Sequence, residues 1–454
     1  MHMPPRPSRA PIVACEPGRQ VSELWRALAP ERWPLPPHAL PEGTALVGGA
    51  VRDGLLGQLV AQPDLDLVVP GDAIDLARQL GRQFGGTCVV LDQERSIARL
   101  VLKGWTIDLA RCAGDDLRVD LTRRDYTANA IALPLGGLAL DSRAASDLRL
   151  IDPCGGLQDL AARRLVAISE ANLLDDPLRL LRGVRLACEL DFAIAPATWE
   201  LIQRHRQRIA AVAGERVLAE LERLAASAQG HQGLEQALEA GLLQPWGAAE
   251  GSEASLELLA SQRPDICGLT SAEAAWALPL ARLAAVLDGP SLEGLRASRR
   301  LQQRCQRLRQ WLSRLRQTPG GTGALALEAL AEGPRLALQR QLEEDLPALL
   351  LHLDPGAAQL AMERWRDPAD RLFHPRPPLD GSRLQQLLAI APGPRLGQLI
   401  DHLTAERAFG RLGGTAATDT AELADRLLAE ESVTAAQLWL GRRGEATEAD
   451  PRHD

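Results

Sequence analysis

Apolar positions change their rhythm along this chain of 454 residues. Between about 45 and 152 they come in short runs bounded by turn formers. Ala45–Val47, Leu65–Val69, Cys88–Leu91, Ala98–Leu102 and Thr106–Leu109 read as strands. Asp72–Phe84 between them carries helical spacing. After about 155 the strand signals fade. Helical periodicity then runs almost to the end, punctuated near Pro245, Pro264, Pro290, Pro319 and Pro375. The Pro-rich residues 1–20 and the polar residues 441–454 are predicted to be disordered. The pattern therefore predicts an α+β head with a mixed sheet over 21–152. Two all-α regions follow, over 153–265 and 266–440.

Composition narrows the class. A chain of this length exceeds one ordinary core, and about two to four domains are expected. Formal net charge is −8, so any nucleic-acid contact must come from a local basic patch. Positive charge is nearly all arginine, with Lys103 the single lysine. The seven cysteines (15, 88, 112, 154, 188, 267, 305) are scattered with no Cys-x-x-Cys pair, as expected of free thiols in a reducing compartment. No apolar run reaches membrane length, and no signal-peptide core is seen near the N-terminus. A soluble cytoplasmic protein without a membrane partner, monomer or dimer, is expected.

Candidate chemistry starts at Asp64-Leu65-Asp66, which opens a strand. Side chains alternate along a strand, so Asp64 and Asp66 share a face. Two acids so placed repel unless a cation lies between them, and Mg²⁺ favours such oxygens with substrate phosphates completing its shell. Alone the pair is no more than a surface motif. Upstream, however, Gly48-Gly49 joins a strand to a helix start, where the backbone can approach a phosphate and Arg52 can clamp one. Downstream, Asp108 brings a third acid on another strand. Three acids beside a Gly-Gly turn suit in-line phosphoryl transfer with two metals.

Five ordered motifs then carry a resemblance. These are Gly48-Gly49-Ala50-Val51-Arg52-Asp53, Asp64-Leu65-Asp66, Arg123–Ala130, Asp152–Leu160 and Asp176–Arg185. Over about 45–225 the sequence resembles the bacterial tRNA nucleotidyltransferase/poly(A) polymerase family, the class II branch of the DNA polymerase beta-like superfamily. The resemblance implies a nucleotidyltransferase head followed by helical neck, body and tail. It implies an enzyme that adds CMP, with or without AMP, to a tRNA 3′ end from CTP and ATP with release of pyrophosphate. Asp64 and Asp66 would hold Mg²⁺, with Asp108 the third catalytic carboxylate and metal ligand. Gly48, Gly49, Arg52, Arg124, Asp125 and Asn129 would face the nucleotide. Asp176, Arg179, Arg182 and Arg185 would read it, and Gly214–Leu224 would brace the recognition helix.

The residues suggest how a base could be read. Asp176 and Arg179 are three apart, a spacing that shares a helix face. A carboxylate accepts and a guanidinium donates, matching the amino donor and ring acceptor that cytosine and adenine share. Uracil and guanine would leave groups unpaired, at about 1–3 kcal/mol each. Two departures from the family pattern stand out. Asp175 replaces the usual Glu, and only Leu109–Thr122 joins Asp108 to Arg123. Many CCA-adding relatives have a longer loop there, linked to the final A, whereas a short one resembles the CC-adding subgroup. CCA-adding and CC-adding both stay open, with an A-adding enzyme, a poly(A) polymerase or a non-catalytic RNA-binding relative as alternatives. Finally, Arg299–Arg316 carries a run of arginines without an acid. Leu301, Cys305, Leu308, Leu312 and Leu315 form its apolar stripe. Arg299, Arg300, Arg304 and Arg307 are its candidate tRNA contacts.

Overall fold

The computed structural model describes residues 12–14, 17–114, 116–135, 149–248, 251–261, 264–317, 327–413 and 421–448. The chain divides into two compact units. One is Met1–Ala248 with Gly294–Arg296, and the other is Ala249–Glu293 with Ala297–Asp454. Head and neck thus share one unit, and the break falls at 248 rather than 265.

The first unit opens with helix α1 (Pro17–Leu28), which corrects the expectation of disorder up to residue 20. Val21, Leu24, Trp25 and Leu28 bury one face of it, and the buried Gln20 side chain donates to the Val13 carbonyl. Proline enrichment is compatible with this start, because Pro17 sits in the first turn, where no N–H is needed. The sheet strands and helices of the head follow as β1 (Ala45–Val47), α2 (Gly49–Leu55), β2 (Leu65–Val69), α3 (Ala73–Phe84), β3 (Thr87–Asp92), β4 (Ile97–Leu102), β5 (Trp105–Arg111), α4 (Leu117–Thr122) and β6 (Ala132–Pro134). The six strands lie in the order β3-β4-β5-β2-β1-β6. Only β2 and β5 are parallel, so the sheet is mixed.

Alternation decides which face becomes the core. Ala98, Leu100 and Leu102 on β4, and Ile107 and Leu109 on β5, are fully buried, and α3 packs on these strands through Ile74, Ala77 and Leu80. The Asp72 carboxylate caps α3 by accepting from Ile74 and Asp75 N–H, and Gly85 ends it in a left-handed conformation. The residues between, including Arg99 and Asp108, are left on the open face.

The unit continues through α5 (Gly156–Ala161), β7 (Arg164–Leu165), α6 (Glu170–Asp175), α7 (Leu178–Leu190), β8 (Ala193–Ile194), α8 (Pro196–His205), α9 (Gly214–Ala226) and α10 (Gly230–Glu239). Here α7, α9 and α10 pack on one another. A two-residue parallel ladder, β7 with β8, interrupts the expected all-helical region. So short a pairing leaves no periodicity to read. Gly294–Arg296 closes the unit from further along the chain. Leu295 is fully buried, Arg296 pairs with Glu215 at 3.0 Å, and a Cβ on Gly214 would stand 2.7 Å from the Gly294 carbonyl oxygen.

The second unit is helical: α11 (Ser252–Ser261), α12 (Ser271–Val286), α13 (Gly289–Gly294, its last residue grouped with the first unit), α14 (Arg299–Gln317), α15 (Glu332–Leu342), α16 (Leu346–Leu350), α17 (Pro355–Arg366), α18 (Gly381–Leu388), α19 (Pro394–Ala408) and α20 (Ala421–Glu448). A capping box of Thr270 and Glu273 starts α12. The helix α20 runs through the first part of the predicted loose tail, and 449–454 lie outside the described residues. His352 is buried with neither ring nitrogen hydrogen-bonded. Burial, with the Arg316 charge adding to it, pushes its pKa down to about 3. Among the described residues no helix is long and apolar enough to cross a membrane, and the six described cysteines form no disulfide.

Candidate active site

One row of side chains crosses the sheet. Val47, Asp66, Asp108 and Arg99 are successive register partners on β1, β2, β5 and β4. The two acids therefore sit side by side on the open face, with Asp64 just ahead of β2. Burial, then the Asp108 charge, raises the Asp66 pKa to about 6, with Asp64 adding to the rise and Arg124 and Arg182 opposing it. Asp108 is held by Arg99 through a two-toothed contact, Nε to Oδ1 and Nη2 to Oδ2, both 2.8 Å. Among the described residues, no three His, Cys, Asp or Glu side chains stand together as a ready metal cage.

Above the acids the chain passes close. Gly48 has φ 72° and ψ −136°, and a Cβ there would stand 2.9 Å from Asp66 Oδ2. Glycine is required on both counts. The turn leads into α2, whose Arg52 donates to Asp53 at 2.8 Å and to Asn129 Oδ1 at 2.6 Å. Asn129 donates in turn to Asp125 Oδ1, which also accepts from the Tyr126 N–H, while Asp125 Oδ2 pairs with Arg182 at 3.2 Å. Burial would raise the Asp125 carboxyl. Arg182, Asn129 and the Tyr126 amide outweigh it and hold the carboxyl below its ordinary range. Arg124 pairs with Asp120 at 3.1 Å, and its buried Nε has no hydrogen-bond partner.

These groups line one cleft of about 570 Å³, walled by Gly48, Gly49, Arg52, Asp64, Asp66, Asp108 and the arginines 99, 124, 179, 182, 185 and 223 among others. Asp64, Asp66 and Asp108 share the sheet face, and guanidinium groups surround them. Such a space suits a polyanion bridged to carboxylates by a cation.

Comparison with known proteins agrees with this chemistry. Residues 44–166 match the family described as "Poly A polymerase head domain". Residues 191–246 match "Probable RNA and SrmB- binding site of polymerase A". A CC-adding tRNA nucleotidyltransferase of Synechocystis is 32% identical over 82% of this chain and 91% of its own length. An A-adding tRNA nucleotidyltransferase of Deinococcus radiodurans is 32% identical over 84% of this chain and 95% of its own. The chain belongs to the tRNA nucleotidyltransferase/poly(A) polymerase family. The Thermotoga maritima CCA-adding enzyme solved with tRNA shares its fold at a TM-score of 0.59 and 20% identity, covering 93% of this chain and 98% of that one.

Within this family fold, several expected readers of the nucleotide are otherwise engaged. Asp176 does not share a helix face with Arg179. It is extended (φ −139°, ψ 97°) ahead of α7, and its carboxylate pairs with Arg216 of α9 at 2.7 Å. The cause is Pro177, which disfavours helical backbone in the residue before it. Arg179 lines the cleft, yet donates to the Asn172 carbonyl at 2.7 Å. Arg182 lines the cleft beside Asp125. Arg185 does not continue that stripe freely, since it is buried between Glu189 and Glu220. In α14, Arg304 is similarly committed, pairing with the buried Asp345 at 2.7 Å, whereas Arg299, Arg300 and Arg307 are exposed. Trp311, Cys305, Leu308, Leu312 and Leu315 are core.

Sequence reasoning missed Arg99, Asp120 and Glu189. Asp120 and Glu189 had a local signal, each four residues from its arginine, Arg124 and Arg185. Arg99 meets Asp108 only through sheet register, which sequence spacing does not display. Arg216, Glu220 and Arg223 lie in the Gly214–Leu224 segment expected to brace the recognition helix, but their individual partners were not assigned.

Proposed function

We propose that this protein is a cytoplasmic, Mg²⁺-dependent CC-adding tRNA nucleotidyltransferase that transfers CMP from CTP to the tRNA 3′ end. The observation carrying the chemistry is the single cleft in which Asp64 and Asp66 face Arg52, Arg124, Arg179 and Arg182. The donor set fits magnesium. Its protein ligands would be carboxylate oxygens only, and the crowding that raises Asp66 is what a cation there would relieve. Asp64 and Asp66 would hold it, and it would neutralise charge on the attacking oxygen and the triphosphate.

The chain's own residues do the rest. Arg52, aimed by Asn129, and Arg124, which lines the same cleft, donate to phosphate oxygens. Asp125 keeps Arg182 charged and oriented at the nucleotide. The terminal 3′-hydroxyl of the RNA gives its proton to the Asp108 carboxylate as its oxygen bonds to the α-phosphorus, and the bond from the α-phosphorus to the bridging oxygen breaks to release pyrophosphate. Base choice falls to Asp176 and Arg179 once a cytosine replaces the Arg216 and Asn172 contacts.

The short link after Asp108 supports the restriction to C: β5 runs on to Arg111 and α4 starts at Leu117, where the longer loop linked to A addition would stand. Purified protein should incorporate labelled CMP, not AMP, into tRNA lacking its 3′ CCA, and Asp66→Ala should abolish this while the fold persists. Addition of A to a CC end would overturn the restriction, and incorporation of no nucleotide would overturn the enzymatic reading.

A further inference from the structure

We infer that Arg99 is a positioning residue for Asp108, occupying its carboxylate in place of a cation and releasing it as the cleft is loaded. This rests on the functional reading above and adds a residue to it. Arg99 and Asp108 are register partners on adjacent antiparallel strands, and Asp108 is in turn the register partner of Asp66. The guanidinium fork takes both Asp108 oxygens at 2.8 Å. Asp108 is thereby turned toward β4 rather than toward Asp64 and Asp66.

The pair is built to open. The side chains of Arg99 and Asp108 are 45% and 26% exposed, so water can replace the contact as it breaks. The neighbours of Arg99 on the open face include Val89, its own register partner, and Val101, both exposed, with the half-buried Ile97 on its other side. Toward Val89 and Val101 the guanidinium is free to rotate outward. Arg99 also lines the same cleft as the phosphate-facing arginines, so a guanidinium that leaves Asp108 meets a triphosphate instead of bare solvent. Empty of nucleotide, the acids Asp64, Asp66 and Asp108 keep a local counter-charge. As the nucleotide and its cation enter, the carboxylate and the guanidinium each exchange one partner for another. Arg99 therefore weakens cation binding in the nucleotide-free enzyme and couples it to nucleotide arrival.

Mn²⁺ binding to the full-length protein, followed by electron paramagnetic resonance without RNA or nucleotide, tests this directly. Arg99→Met should tighten Mn²⁺ about five- to tenfold, the order expected from removing one half-exposed charge and freeing a carboxylate. In an Asp108→Asn background the same substitution should change affinity less than about twofold, because coupled residues are non-additive. Arg99→Lys keeps the charge but loses the fork, and it should tighten Mn²⁺ about two- to threefold. It carries the test if Arg99→Met folds poorly by circular dichroism. Unchanged or weaker Mn²⁺ binding in both Arg99 variants would overturn the inference. So would a full Arg99→Met effect in the Asp108→Asn protein, which would mark a general charge effect. Because this assay contains neither RNA nor nucleotide, failure to incorporate C leaves its outcome untouched and strikes only the functional reading.

Discussion

Replacing Gly48 by alanine tests whether the turn above the acids is as constrained as its geometry indicates. At φ 72° and ψ −136° the residue occupies backbone space nearly closed to side chains, which costs about 1–3 kcal/mol when a side chain is forced into it. The new Cβ would also stand 2.9 Å from Asp66 Oδ2, where ordinary contact begins at 3.4 Å. About half an ångström must therefore be found, from the Gly48 backbone or from Asp66. Both routes disturb the site, since the Asp66 strand is hydrogen-bonded on either side. A 1 Å misplacement of a reacting group costs about 10²-fold, so half of that predicts a loss of about tenfold or more in kcat for CMP addition. Strain and contact together predict about 2–3 kcal/mol of lost stability, or about 5–10 °C in the melting of a unit this size. Single-turnover incorporation and differential scanning calorimetry would measure both. Adding Asp66→Ala to the variant should recover the contact part of the stability loss and leave the strain part. A Gly48→Ala enzyme with kcat within about twofold of the parent and melting within about 1 °C of it would refute this reasoning.

His352 predicts an acid-labile second unit. Its folded pKa of about 3 lies below its ordinary 6.5, so the unfolded chain takes up a proton first as pH falls. The neutral group's full contribution is present above about 6.5, and about 2 kcal/mol should be lost between pH 7.5 and 5. His352→Met should flatten that part of the melting profile, and a parallel profile would refute it. Tyr126 donates to the Arg179 carbonyl at 2.7 Å, and a Cβ on Gly183 would lie 2.0 Å from its hydroxyl oxygen. Gly183→Ala should cost about 2 kcal/mol or more in urea unfolding, less in a Tyr126→Phe background, as expected of overpacking. Arg304→Ala leaves the buried Asp345 charge without its partner and should destabilise by about 2–3 kcal/mol. Arg307→Ala should leave melting unchanged and reduce the salt dependence of tRNA binding measured by filter retention.

Much of the head was legible because its strands are short apolar runs bounded by turn formers, with clean alternation in β4 and β5. Ala45–Val47 and Leu65–Val69 coincide with β1 and β2, and the alternation that buries Leu65 and Leu67 is what exposes the face of Asp64 and Asp66. The strand β6 was missed because Ala132–Pro134 is only three residues long and ends on a proline, which argues against a paired strand. In the recognition segment the error was one of weighting. Helical spacing joined Asp176 to Arg179, but Pro177 between them already dictated where α7 could start. Arg185 shows the opposite limit, since its burial depends on Glu220 across a helix interface. Arg99 shows it again, because its partnership with Asp108 exists only through the register of a hairpin.

The return of Gly294–Arg296 to the first unit bears on how this protein can be cut and recombined. A fragment ending at Ala248 would leave the start of α9 uncovered, where Leu295 is fully buried against Gly214 and Arg296 pairs with Glu215. The helix so exposed also carries Arg216 and Glu220, which hold Asp176 and Arg185. A chimera that exchanges residues 1–248 between relatives therefore inherits an α9 covered partly by the other parent's residues, unless this tripeptide travels with it. The chain passes between the two units three times, after Ala248, Glu293 and Arg296, so exchange by a single crossover leaves the start of α9 facing a tripeptide from the other parent.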